Sequence, residues 1–146
     1  MNPKTGLMGL LLASLVAVSG CNSTKFTTDN LPETQLYFGN GGGFSGLVNQ
    51  YLLLENGQLF EKKGGAEHFS ELKKARKKQA TAIFSQLETI SFSKLEIDQP
   101  GNTYRFVHLL APSIDHKVTW GKPDYQVHAQ VDNLYNDLMA LVKKED

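Results

Sequence analysis

Between residues 34 and 62 short apolar runs alternate with glycine-rich punctuation. Residues 34–38 (TQLYF) and 47–54 (LVNQYLLL) read as strands on either side of a glycine-dense connection at 39–46. Asn56-Gly57 then supplies the positive φ of a tight turn, and residues 58–62 form a third strand. A three-strand meander is expected. After a loop at 63–68 the period changes: Phe69, Leu72, Ala80, Ile83, Leu87 and Ile90 fit one side of a helix over residues 70–90, with Phe84 widening the stripe.

Residues 91–97 (SFSKLEI) alternate and suit an edge strand or an extended crossover, and Asp98 to Asn102 reads as a turn. Residues 103–110 (TYRFVHLL) and 117–120 (KVTW) read as a hairpin pair. A last helix follows Pro123-Asp124, with Val127, Val131, Leu134, Leu138, Leu141 and Val142 on one face. The order predicts an α+β domain over residues 34–146: a mostly antiparallel sheet of about five strands with two helices on one face. Trp120, at strand spacing from Val118, is expected in the core or at its rim, with Tyr135 as a helix neighbour, the alternative being a peptide-binding hot spot.

The N-terminus has a different pattern. Residues 6–18 are apolar apart from Ser14 and follow Lys4, which is a secretory signal pattern and too short for the roughly 20 residues of a membrane span. Val18-Ser19-Gly20-Cys21 resembles the lipobox of bacterial lipoproteins. That resemblance implies cleavage of a signal peptide at residues 1–20, diacylglycerol on the Cys21 thiol and acylation of the new amino terminus. Two or three acyl chains anchor stably where one does not. Asn22, in place of a retention aspartate, implies sorting to the outer membrane with the domain facing the periplasm. Residues 22–33 (NSTKFTTDNLPE) read as a flexible tether holding the domain on the order of 20 Å from the lipid.

Composition narrows the chemistry. The chain of 146 residues has 15 basic and 15 acidic side chains, and losing Lys4 with the leader leaves 14 against 15. No bulk charge favours nucleic acid. Cys21 is the sole cysteine, which excludes an intrachain disulfide and a cysteine-rich zinc site. His68, His108, His116 and His128 match no short metal-ligand motif, although His108 and His116 could meet across the second hairpin. No serine stands in a nucleophile elbow, and the carboxylates of Glu88, Glu96 and Asp98 are not brought to one cleft by any motif. The expectation is a protein that is not an enzyme and takes no cofactor beyond the covalent lipid.

Two segments remain as candidate surfaces. Gly39, Gly41, Gly42, Gly43 and Gly46 lead into a strand, so they do not form a phosphate cradle, which requires a following helix. They read either as a bulged, twisted hairpin or as a loop presenting Phe44 to a partner. Lys73, Lys74, Arg76, Lys77 and Lys78 read either as a solvated helix face or as a contact with anionic lipid or lipopolysaccharide near the anchor.

The segment Gly42-Gly43-Phe44-Ser45-Gly46-Leu47, placed between a first and a second strand and followed by strand, helix, hairpin and C-terminal helix, resembles the emfourin family. These are small proteinaceous inhibitors of bacterial thermolysin-type metallopeptidases. Thr103-Tyr104-Arg105-Phe106 and His116-Lys117-Val118-Thr119 match the later strands more loosely, and the likeness runs from about Tyr37 to Val142. A third glycine at position 41 and the export signal depart from the family pattern. The resemblance implies that Gly41, Gly42, Gly43, Phe44, Ser45, Gly46 and Leu47 fill a peptidase cleft. The competing expectation is an accessory envelope lipoprotein that docks through a sheet edge or the basic segment.

Overall fold

A computed structural model describes residues 24–143. Cys21 and the leader lie outside the described residues. The fold is α+β, with two helices and a mostly antiparallel sheet. The strands are β1 (Gln35–Gly42), β2 (Val48–Leu53), β3 (Leu59–Lys62), β4 (Ser70–Glu71), β5 (Asp98–Gln99), β6 (Thr103–Ala111) and β7 (Ile114–Trp120), in the order β4-β3-β2-β1-β6-β7-β5. The sheet thus has seven strands where about five were expected; both additions are two-residue strands at its edges. Of the pairings, only β5 with β7 is parallel.

Strand β1 is central, and it runs through the glycines. Gly39 to Gly41 pair with β2 on one side and Gly39 to Gly42 with β6 on the other, so half of the expected connection at 39–46 is sheet. Glycine is needed here for close approach: a Cβ on Gly39 would overlap the Asn49 carbonyl oxygen. Only residues 43–47 form the loop.

The first helix, α1 (Lys77–Thr89), starts seven residues later than the periodicity predicted. Ser70 and Glu71 pair with β3, Leu72 N–H donates to Leu59 O and Ala75 N–H to Gly57 O, so this segment bonds to the sheet side and not into a helical turn. The alternation confirms it, because Phe69 packs on one face of the sheet and Leu72 on the other. Within α1 the buried residues are Ala80, Ile83 and Leu87, on the expected stripe. Residues 91–97 form no edge strand. Ser91 takes φ 51, a short 3-10 helix at Phe92–Lys94 buries Phe92, and the strand falls on Asp98–Gln99, where a turn was expected. The β6–β7 hairpin closes on Pro112-Ser113, with Ser113 at φ 62, setting Ala111 opposite Ile114. In that register His108 faces Lys117 and His116 faces Leu109, so the two histidines lie on opposite faces and do not meet.

Helix α2 (Ala129–Val142) buries Val131, Leu134, Tyr135 and Leu138. Both helices cover one face, in a core that includes Leu36, Phe38, Leu53, Val107, Val118 and Trp120. The Trp120 and Tyr135 rings meet edge to face at 5.3 Å.

The other face has its own cluster, Leu52, Leu54 and Phe60, and it is covered by Phe26, Leu31, Tyr37 and Phe69. Residues 24–31 therefore differ from the expected tether. Gln58, only 2% exposed, holds them. Its Oε1 accepts from Phe26 N–H (2.7 Å) and Asn56 Nδ2 (2.7 Å); its Nε2 donates to Phe26 O (3.0 Å) and Glu71 Oε1 (3.3 Å). The amide so mimics a β-bridge to Phe26, with donors and acceptor satisfied. Asn56 Nδ2 also donates to Thr24 O at 2.7 Å, and Lys25 Nζ lies 3.3 Å from Glu71. Every contact described lies within residues 24–143, so a chain beginning at Asn22 retains the residues that make them.

Replacing Gln58 by alanine strands both polar groups of Phe26 against an apolar cluster. The variant Gln58→Ala is expected to lose about 2–3 kcal/mol in urea unfolding of the chain from Asn22. A loss below about 0.5 kcal/mol would show that the N-terminal segment is not held by this amide.

Candidate functional site

The loop between β1 and β2 presents the one prominent apolar feature among the described residues. Phe44 is fully exposed and Leu47 about half exposed, and they are the large hydrophobic side chains left in water. Neither side chain belongs to either core cluster. The loop is also ordered by its own bonds. Gly46 N–H donates to Gly43 O (3.1 Å), closing a turn with Phe44 and Ser45 at its centre, and Leu47 N–H reaches Ser45 Oγ at 3.4 Å. Gly43 N–H donates to Asn102 O (2.7 Å), tying the loop to the turn before β6. Gly42 sits at φ 91, where a Cβ would also overlap the Asn102 carbonyl oxygen. These glycines are thus required by the backbone path, and that path places Phe44 outermost.

The seven residues expected to act together, Gly41 to Leu47, divide. Gly41 and Gly42 belong to the sheet, and Gly43 to Leu47 form the projecting loop. Beneath the loop a cavity of about 660 Å³ is lined by Ser45, Leu47, Tyr104 and Arg105, among others. The Tyr104 ring lies over Gly41, where a Cβ would come within 2.7 Å of its hydroxyl. Asn49 Nδ2 donates to Asn40 Oδ1 at 3.1 Å across the β1–β2 pair. Arg105 is held by Asp132 (3.3 Å) and stacks 5.5 Å from the Tyr135 ring centre. Burial raises the pKa of Tyr135, an effect opposed by its hydrogen bond with Asn40 and by the Arg105 charge. Tyr104 and Arg105 were not singled out as site residues in the sequence. Their signal was the strand register, which pairs Tyr104 with Gly41 and Arg105 with Asn40.

The five basic residues sit elsewhere, and not on one helix face. Lys73 and Lys74 lie in the extended segment before α1, Arg76 caps it, and Lys77 and Lys78 occupy its first turn; all five are exposed. Gln79 Oε1 accepts from Arg76 N–H at 3.1 Å, completing one orphan donor of that turn. The first turn carries no acidic residue. Positive charge at the positive end of a helix costs on the order of 0.3–1 kcal/mol per side chain, so this placement does not serve helix stability.

The histidines are engaged singly. His108 Nε2 lies 2.7 Å from Asp115, and His116 Nε2 lies 2.9 Å from Leu95 O with its ring edge to face with Phe92. Among the described residues no group of three or more His, Cys, Asp or Glu side chains is placed to hold a metal ion, and no helix is long and apolar enough to cross a membrane. Compared with known proteins, the chain matches no family model and no curated protein sequence.

Because Phe44 contributes nothing to either core, Phe44→Ala is expected to stay within about 0.5 kcal/mol of the parent in thermal or urea unfolding. Gly42→Ala, forced against Asn102 at positive φ, is expected to lose at least about 2 kcal/mol in the same measurement. Equal stability of Gly42→Ala and the parent would mean that the loop's base is not held as described.

Proposed function

We propose that the protein is an envelope-anchored lipoprotein whose domain is a non-catalytic binder of another protein, with the loop Gly43 to Leu47 as its contact. The observation that carries this reading is the fully exposed Phe44 on a turn closed by Gly46 N–H to Gly43 O and tied to Asn102 at its Gly43 end. A ring presented on an ordered turn binds with little ordering cost, and a central aromatic in a partner's pocket is the usual form of a binding hot spot. The likeness of Gly42-Gly43-Phe44-Ser45-Gly46-Leu47 to emfourins suggests the partner: a thermolysin-like metallopeptidase of the periplasm or secretome, with Phe44 entering the substrate groove. An ordered loop that fills such a groove blocks it at little entropic cost.

An accessory envelope role is the second reading, with docking through a sheet edge or the basic segment. Strand β5 pairs only with Thr119 and Trp120, which leaves Ile114 to Val118 of β7 without a strand neighbour on that side among the described residues, a ladder that another chain could join. The exposed basic segment is the other route. Lipidation of Cys21, export and the outer-membrane location belong to the same proposal and rest on the Val18 to Cys21 motif.

The test is inhibition of thermolysin-like peptidases by the chain from Asn22. Slowed peptide hydrolysis is expected, with the inhibition constant rising at least about tenfold in Phe44→Ala. Unchanged hydrolysis at large molar excess of the parent would remove the inhibitor reading, and a partner captured equally by parent and Phe44→Ala would remove the loop as the contact.

A further inference from the structure

The place where the chain enters the domain and the place of the basic residues coincide. Thr24 O is bonded to the Asn56 side chain, and Gly57 O accepts from Ala75 N–H, in the middle of the run Lys73 to Lys78. Thr24 is three positions beyond Cys21, a reach of at most about 11 Å even fully extended. An acyl group on Cys21 would therefore hold this end of the domain within reach of the headgroups. Among the neighbouring carboxylates, Glu71 is paired with Lys25 at 3.3 Å and Glu61 with Lys63 at 2.9 Å.

Beside the basic run a groove of about 740 Å³ opens between residues 72–76 and the C-terminal end of α2. Its lining includes the apolar Leu72 and Val142, the cations Lys73, Arg76 and Lys143, and the Glu61 carboxylate, which Lys63 pairs. Apolar side chains beside an excess of cations match a phosphate headgroup with the start of its acyl chains. The opposite end of the sheet holds Phe44. Strands β1 and β2 run between the two ends, and the eight residues of β1 span roughly 25 Å.

We propose that the end of the domain formed by the Asn56 turn and the run Lys73 to Lys78 lies against anionic phospholipid headgroups, with Lys73, Arg76, Lys77 and Lys78 taking their phosphates and the Phe44 loop directed away from the bilayer. The membrane in question comes from the lipoprotein reading above; the lipid chemistry comes from the charged surface alone. Each cation near an anionic surface contributes about a fivefold gain in partition. The proposal turns the same residues into the foot on which the binding loop stands.

Co-sedimentation of the chain from Asn22 with lipid vesicles tests it, and needs no lipidated protein. Binding is expected to vesicles of phosphatidylcholine containing phosphatidylglycerol, not to phosphatidylcholine alone, and is expected to vanish at high salt. The double variant Lys77→Gln, Lys78→Gln should partition about 25-fold less. The pair Lys117→Gln, Lys122→Gln, distant from the Asn56 turn, and Phe44→Ala should each stay within about twofold of the parent. Absent binding, equal binding to neutral vesicles, or an equal loss in the distant pair or in Phe44→Ala would overturn the proposal. None of these results bears on peptidase inhibition or on acylation of Cys21, which are read in separate assays.

Discussion

The buried amide of Gln58 fixes how the chain enters its own domain. By bonding both polar groups of Phe26 it draws a polar-looking segment onto the far face of the sheet, where Phe26 and Leu31 cover Leu52, Leu54 and Phe60. Without that segment the second cluster would keep only Tyr37 and Phe69 of its four covering side chains, and burial of even one aromatic ring is worth about 1.5–3 kcal/mol. A domain whose helices all lie on one face needs such a cover. The N-terminal segment supplies it, so it is structure where a tether was expected.

That constraint gives the molecule two different ends. At one, the chain enters beside the Asn56 turn and the basic run; at the other, a glycine-shaped loop exposes Phe44. Strands β1 and β2 connect them as a rigid strut, because β1 is central and is bonded along its length on both sides. The glycines have two roles along this strut. Gly39 lets neighbouring backbone approach, and Gly42 bends the strand into the loop. Rigid presentation of Phe44 follows from the same contacts that hold the sheet together.

The two helices and the meander were legible because their apolar period is clean: Ala80, Ile83 and Leu87 in α1, Val131, Leu134 and Leu138 in α2, and Asn56-Gly57 at the turn. The start of α1 was not, since Phe69 and Leu72 fit a helical stripe by spacing while packing on opposite faces of the sheet. Glycine reads locally as a strand breaker, yet in β1 two flanking strands supply the bonds that make it strand, which only long-range pairing determines. Of the candidate site, Phe44 was visible as an apolar residue among glycines. Tyr104 and Arg105 were not, because their place beside the loop depends on the β1–β6 register across more than sixty residues. The role of Phe26 was equally hidden, its partner Gln58 being 32 positions away.

The most direct measurement of this two-ended architecture is the distance between its ends in solution. Spin labels on cysteines introduced as Thr24→Cys and Ser45→Cys, in a chain beginning at Asn22 and so free of other thiols, report it by dipolar spectroscopy. A single narrow distribution at roughly 25 Å or a little beyond is predicted, set by the length of β1. A broad distribution reaching well below that length would contradict the account, because it would mean that residues 24–31 move freely about the domain.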